Sequence, residues 1–380
     1  MKPIFLLVFT AFIFSCNTKK TKSNEISDSF EITLDTLIFE SNDQFLYLEE
    51  GLKRSCLTPD KTFLFNYNWR DHAIEKIDLE SLKLDSRINL EEEGPNGISK
   101  YITNFKVETS GVILIWGSRF HFELDTKWDK TTDFKLDVLI ENKLGKSLFP
   151  VSIFSDKYNE DRLVGFYYDI KEFTPLLIDF DLKNQGLKIV DLPEIDDMKK
   201  YVVELYSNGL IGGTYGLEFY SMMQNNKVII NSNVLNEVVV YDLNSGELNV
   251  KKWDSQLIGS RRKYIPPKQA DYFSDELVHL VRKSEEDITY GPMFWDGTNQ
   301  NFFRFSYKGH FTEEKNENGF FIKNNVDVFL TRFDEQLNIV KESEIPELNS
   351  NLNLHFEKNG EIWIFENIND ELAFVRMKWS

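Results

Sequence analysis

Val238-Val239-Val240-Tyr241-Asp242-Leu243-Asn244-Ser245-Gly246-Glu247-Leu248 carries the architecture of this chain in miniature. Three β-branched residues and an aromatic read as a strand. Asp, Asn, Ser and Gly then make a tight turn that the aspartate side chain caps, and Leu248 opens a second apolar-alternating run. The same order of apolar residue, Asp, short turn and second run recurs. It reads Ile77-Asp78-Leu79-Glu80-Ser81 before Leu82, Leu124-Asp125-Thr126 before Trp128, Phe180-Asp181-Leu182-Lys183-Asn184 before Leu187, and Phe333-Asp334-Glu335 before Leu337.

Successive aspartates lie 47, 56, 61 and 92 residues apart. The first three intervals suit one four-stranded sheet per repeat, near the roughly 40–50 residues of a propeller blade plus loop insertions. The last interval holds the one stretch that reads as helix, Lys268 to Glu286, with Leu277, Val278 and Val281 on one face. It reads as an insertion before a blade whose first hairpin runs from Phe294-Trp295-Asp296-Gly297 to Phe302-Phe303. Further runs such as Phe63-Leu64-Phe65-Asn66-Tyr67, Val112-Ile113-Leu114-Ile115-Trp116 and Ile362-Trp363-Ile364-Phe365 are strands by the same criteria. Five hairpins and a terminal Leu352–Trp379 segment predict an all-β fold, a six-bladed β-propeller with one short helical insertion. The early strand Phe30–Glu40 then supplies the outer strand of the last blade and closes the ring. A flat β-sandwich is the alternative, and the repeat spacing and strand number favour the propeller.

The chain begins with a different signal. In MKPIFLLVFTAFIFSC, Lys2 precedes an apolar run from Pro3 to Phe14, followed by Ser15-Cys16. The run is too short to span a bilayer and reads as a secretory signal ending in a lipobox-like site. Cleavage before Cys16 frees its thiol for a diacylglyceryl group and its amine for an acyl chain, an anchor much firmer than one myristoyl group. An ordinary cleaved signal with a coincidental cysteine is the plainer reading, and the Phe-Ile-Phe-Ser lead-in leaves it open. Asn17 to Ser29 is polar and free of aromatics, so it reads as a flexible tether. The expected organisation is a signal at 1–15, lipidated Cys16 and tether at 16–29, and one propeller domain at 30–380.

Hydrophobic residues at 41% and charged residues at 28% give a globular balance, and 32 Phe suit strand faces packed between sheets. A net charge of −18 repels phosphate backbones, which excludes nucleic acid as an expected partner. With Cys16 lipidated, the second cysteine, Cys56, has no partner for a disulfide within the chain. It reads as a buried small hydrophobe; a catalytic thiol is the alternative, without a local nucleophile signature.

No catalytic residue, metal ligand set or cofactor motif emerges. The five histidines (His72, His121, His279, His310 and His355) show no paired zinc-ligand spacing, and His121 alternates with Phe120 and Phe122 as a strand residue does. Ile211-Gly212-Gly213-Thr214-Tyr215-Gly216 lacks the helix and lysine of a phosphate loop and reads as a loop or tight turn. Glu91-Glu92-Glu93 lacks the alternating spacing of a calcium loop. In Glu93-Gly94-Pro95-Asn96-Gly97 the glycines and proline fix a turn: a rigid connection between blades, or one that presents Asn96 to a ligand. Arg261-Arg262-Lys263-Tyr264 is a basic cluster in an acidic chain. It suits bidentate capture of carboxylates or an anionic sugar, or compensation of neighbouring acids. Arg304 alternates with Phe303 and Phe305 and points to the opposite face, toward a channel or between blades. Arg261, Arg262, Tyr290, Trp295 and Arg304, with Asn96, are the candidate ligand-binding residues, and Cys16 is the lipidation site.

Glu93-Gly94-Pro95-Asn96-Gly97-Ile98 and the Tyr290–Arg304 hairpin, together with the lipobox and tether, give the chain a family likeness. It resembles uncharacterised bacterial cell-envelope lipoproteins with a six-bladed propeller, catalogued only as a domain of unknown function. The resemblance implies fold and address, and brings no activity, cofactor or catalytic residue. Surface-export tags in similar lipoproteins are acidic next to the cysteine, whereas the first acid here is Glu25. The resemblance therefore implies the periplasmic face of the outer membrane. Two functions stand as expectations: a membrane-anchored module that binds an envelope protein, peptide or glycan, or a hydrolase or lyase acting on an envelope or extracellular polymer through acidic residues converging on the channel.

Overall fold

The computed structural model describes residues 30–39, 45–193 and 195–380. The signal segment, Cys16 and the tether lie outside the described residues. Among the described residues are six four-stranded antiparallel sheets and one of three strands. The first five four-stranded sheets each use four consecutive strands paired in chain order, over residues 55–89, 102–133, 149–190, 219–252 and 289–344. The sixth joins His355–Lys358, Glu361–Ile368 and Glu371–Trp379 to Ile32–Ile38, from the other end of the chain. That early strand pairs antiparallel with the last one, from Ile32 opposite Trp379 to Ile38 opposite Ala373.

Alternation within the strands gives each sheet two apolar faces, and six apolar clusters fill the spaces between them. Ile74 packs with Phe105 between the first and second sheets, and Trp116 with Tyr167 between the second and third. Phe166 packs with Val239 and Ile229 with Phe302 across the next two spaces. Phe303 meets Ile364 between the fifth and sixth, and Phe374 meets Leu64 between the sixth and first. The fold is all-β and propeller-like.

All five sequence-read aspartates cap the turn between the third and fourth strands of a sheet. The Oδ1 of Asp78, Asp125, Asp181, Asp242 and Asp334 accepts backbone N–H groups two to four residues on, at 2.7–3.3 Å. The sixth sheet has no such turn, because its fourth strand comes from the other end of the chain.

Antiparallel pairing separates the connections into two sets. Turns between first and second and between third and fourth strands lie at one end of each sheet and are two to five residues long. Neighbouring sheets keep this end in common. Lys61 Nζ and Thr298 Oγ1, from the first and fifth sheets, both donate to Glu357 of the sixth. All connections between successive four-stranded sheets emerge at the opposite end and run from 10 to 36 residues. Two of them, 191–218 and 253–288, build the three-stranded sheet. Val203–Ser207 is its central strand, antiparallel to Leu210–Tyr215 and parallel to Gln269–Asp271.

Three expectations change. The helix expected over Lys268–Glu286 is α3, Asp275–Glu286 once the earlier helices are numbered, because Gln269–Asp271 is taken as a strand and Ser274 Oγ accepts the Leu277 N–H as an N-cap. The earlier helices are α1 (Leu136–Leu144) and α2 (Ile195–Lys199), where one helical insertion was expected. α1 is nine residues long and buries only Leu136 and Ile140, too weak an apolar stripe to read from sequence. The glycine run at 211–216 is largely an edge strand rather than a turn: Tyr272 lies over Gly212 and Gly213, where a Cβ at Gly213 would stand 2.6 Å from its hydroxyl.

Candidate functional site

Strand alternation places Arg304 opposite Phe303 and Phe305, and its side chain is wholly buried. Its guanidinium carbon lies 4.9 Å from the Tyr290 ring centre, 5.4 Å from Trp253 and 5.5 Å from Phe333. Nη2 donates to Asn236 Oδ1, while Nε and Nη1 have no hydrogen-bond partner among the described residues. Burial pushes this arginine down to about 10. Tyr290 is equally buried, and its hydroxyl donates to the Ile258 carbonyl at 2.9 Å. Arg262 is also buried and donates to the carbonyls of Ile288 and Gly216 and to Thr289 Oγ1.

Tyr290 and Arg304 therefore come together inside the protein, Arg262 is buried separately against Ile288 and Thr289, and all three tie the 253–288 connection to the fifth sheet. The other candidates lie apart. Arg261 is on the surface and pairs with Asp197 at 3.2 Å. Trp295 packs on Phe302 and lines a groove of about 510 Å³ near the short-turn end, between the fourth and fifth sheets. Asn96 donates to Asp129 Oδ1 at 2.8 Å. Cys56 joins the cluster between the first two sheets, and desolvation pushes its thiol up to about 12, the wrong direction for a nucleophile.

The end that carries the long connections has two exposed features of its own. At the tip of the three-stranded sheet, Leu210, Ile211 and Phe273 are exposed, Phe273 at 94% and with φ +62°. A bulky residue in the left-handed region is strained, and here no burial of the ring offsets the strain.

The second feature is a groove of about 600 Å³ beside the Glu93–Gly97 turn, lined by Gly97, Ser99, Tyr101, Arg119, Phe120 and Phe122, among others. Gly97 N–H donates to the Gly94 carbonyl at 3.0 Å and Ile98 N–H to that of Glu91 at 2.8 Å, so the turn is closed on itself. His72 Nε2 lies 2.8 Å from the Ile98 carbonyl, and the Tyr67 hydroxyl donates to that of Lys100 at 3.1 Å. These ties fasten the connection to the first sheet. Gly117 is required opposite: a Cβ there would stand 2.4 Å from the Tyr101 carbonyl. No basic cluster marks the groove, since Arg119 is isolated in sequence, and the Phe120–Phe122 alternation is the signal the sequence carries.

The family model described as "Domain of unknown function (DUF4221)" matches residues 27–344. The chain belongs to the DUF4221 family. A crystal structure of a DUF4221 member from Bacteroides vulgatus superposes with a TM-score of 0.68 at 14% identity, covering 93% of this chain and 99% of that one. This likeness carries the fold alone. A propeller domain, Cps50 (Swd1) of Myceliophteria thermophila, gives a TM-score of 0.43 at 11% identity, over 93% of this chain and 99% of that one. An auxiliary nutrient binding protein from Bacteroides thetaiotaomicron gives 0.46 at 9% identity, over 92% and 77%. No curated protein matches the sequence.

Proposed function

We propose that this DUF4221 chain is a lipid-anchored, six-bladed β-propeller of the bacterial envelope that binds a protein, peptide or glycan through the end bearing its long connections. The six four-stranded sheets, with an apolar cluster in each of six successive spaces, support the blade number. The reading of function rests on one observation: the long connections, two of which build the three-stranded sheet, all emerge at one end, while the other end has turns of two to five residues. In repeat folds, insertions gathered on one face mark the surface under functional demand.

The anchor fits this polarity. Ile32 lies opposite Trp379, so the chain enters the sixth sheet at the short-turn end. The fourteen residues from Cys16 to Ser29 reach at most roughly 50 Å. Attachment at the short-turn end places it nearer the lipid anchor and leaves the other end free to face away, at the periplasmic side of the outer membrane.

The test is site-specific photo-crosslinking in cells, with a probe at Phe273 or Tyr101 on the connection-bearing end and at Thr126 or Asn244 on the short-turn end. Adducts from the first pair and none from the second support the reading. Adducts formed only at Thr126 or Asn244 overturn it.

A further inference from the structure

We infer that the groove at Tyr101 and Arg119 is a binding site for a carboxylate-bearing sugar. This rests on the reading of the connection-bearing end as the binding end, and names the ligand chemistry of one site on it.

Three observations converge there. The first is an arginine without a partner. Of the exposed arginines, Arg70 pairs with Glu49 and Arg261 with Asp197. Arg119 has no ion pair or side-chain hydrogen bond among the described residues, in a chain of net charge −18. An acidic surface offers many carboxylates, and this guanidinium engages none of them. Its planar fork matches a carboxylate by two parallel N–H···O bonds.

The second is aromatic surface of the kind that packs on sugar C–H faces. Tyr101 is 84% exposed at the groove. Phe120 is buried and Phe122, stacked on it at 5.0 Å, is covered by the Lys130 ammonium at 4.2 Å, so these two back the groove and Tyr101 is the open face. The third is rigidity. The Glu91–Ile98 turn, the His72 and Tyr67 ties and the tight Gly117 approach fix the backbone of both walls, so little loop entropy is lost on binding. Ser99 and Ser118 add hydroxyls for sugar oxygens, and about 600 Å³ is within the usual span of small-ligand sites. A neutral sugar would use the aromatic surface and leave Arg119 idle.

The experiment is isothermal titration of the mature full-length protein in detergent with galacturonate, glucuronate and mannuronate trisaccharides and their neutral hexose counterparts. The expected result is binding of at least one uronate, with the neutral counterpart at least tenfold weaker. Loss of a charge-assisted contact is worth roughly ten- to a hundredfold, so Arg119→Ala should weaken binding by that factor and Tyr101→Ala should also weaken it. Arg119→Lys should recover part of the affinity. Both side chains are exposed, so thermal melts of the variants should match wild type. The inference is overturned if no uronate binds, if acidic and neutral sugars bind alike, or if Arg119→Ala binds as wild type. Crosslinks from Phe273 that persist beside any of these results would leave the binding-end reading standing and remove only this site.

Discussion

Removing the early strand tests the architecture most sharply, and the structure sets the size of the effect. Residues 32–38 form a seven-residue ladder with the last strand, and the two flanking phenylalanines act on different spaces. Phe30 is 7% exposed within the cluster between the fifth and sixth sheets; Phe39 is 2% exposed between the sixth and first. Truncating a buried phenylalanine to alanine costs about 3–5 kcal/mol. The two sites share no cluster and stand roughly 30 Å apart along an extended strand, so their effects should add, to about 6–10 kcal/mol. That is comparable with the whole stability of a typical domain, about 5–15 kcal/mol, before the lost ladder is counted.

A chain beginning at Ser41 should therefore lose its cooperative melt and aggregate through the bared edge of Glu371–Trp379. Phe30→Ala and Phe39→Ala alone should each lower the free energy of unfolding in urea by the single-site amount. A synthetic peptide of residues 30–39 added to the truncated chain should restore the melt by strand addition. The reasoning fails if the truncated chain melts like the full domain, or if the two single variants leave stability within about 0.5 kcal/mol of wild type.

Cys16→Ser should abolish membrane partition and lipid mass; wild-type protein of unmodified mass would refute the anchor. Acid should weaken the fold in a defined window. Burial lowers His355 to about 4 and His121 to about 3 from an ordinary 6.5, so below 6.5 the unfolded chain takes up protons that the folded chain refuses. Stability is then full above about 6.5 and falls toward pH 4, by on the order of 3 kcal/mol for His355, and urea titrations of His355→Phe should show a shallower decline. A pH dependence identical to wild type would contradict it. Arg304→Ala should cost several kcal/mol by leaving a cavity among Trp253, Tyr290 and Phe333 and an unpaired Asn236 carbonyl oxygen. Arg304→Met should cost much less, since a flexible apolar chain fills the same space without a buried charge; equal losses in the two would refute that account.

What the sequence determined is what local chemistry controls. An aspartate caps its own turn wherever it is placed, so the five hairpins at Asp78, Asp125, Asp181, Asp242 and Asp334 were legible with no knowledge of neighbouring strands. Period-two alternation likewise put Arg304 opposite Phe303 and Phe305. Alternation names a face but not what covers it, and here the 253–288 connection helps to bury Arg262, Tyr290 and Arg304, all read from sequence as candidate ligand-binding residues. α1 escaped notice because a nine-residue helix with two buried side chains gains its stability from packing rather than propensity. The groove escaped for the same reason of distance: Tyr101 and Arg119 stand on different segments, and they face one opening only because Ile102 pairs with Gly117. Strand pairing across the chain, which no short window contains, decided which residues meet.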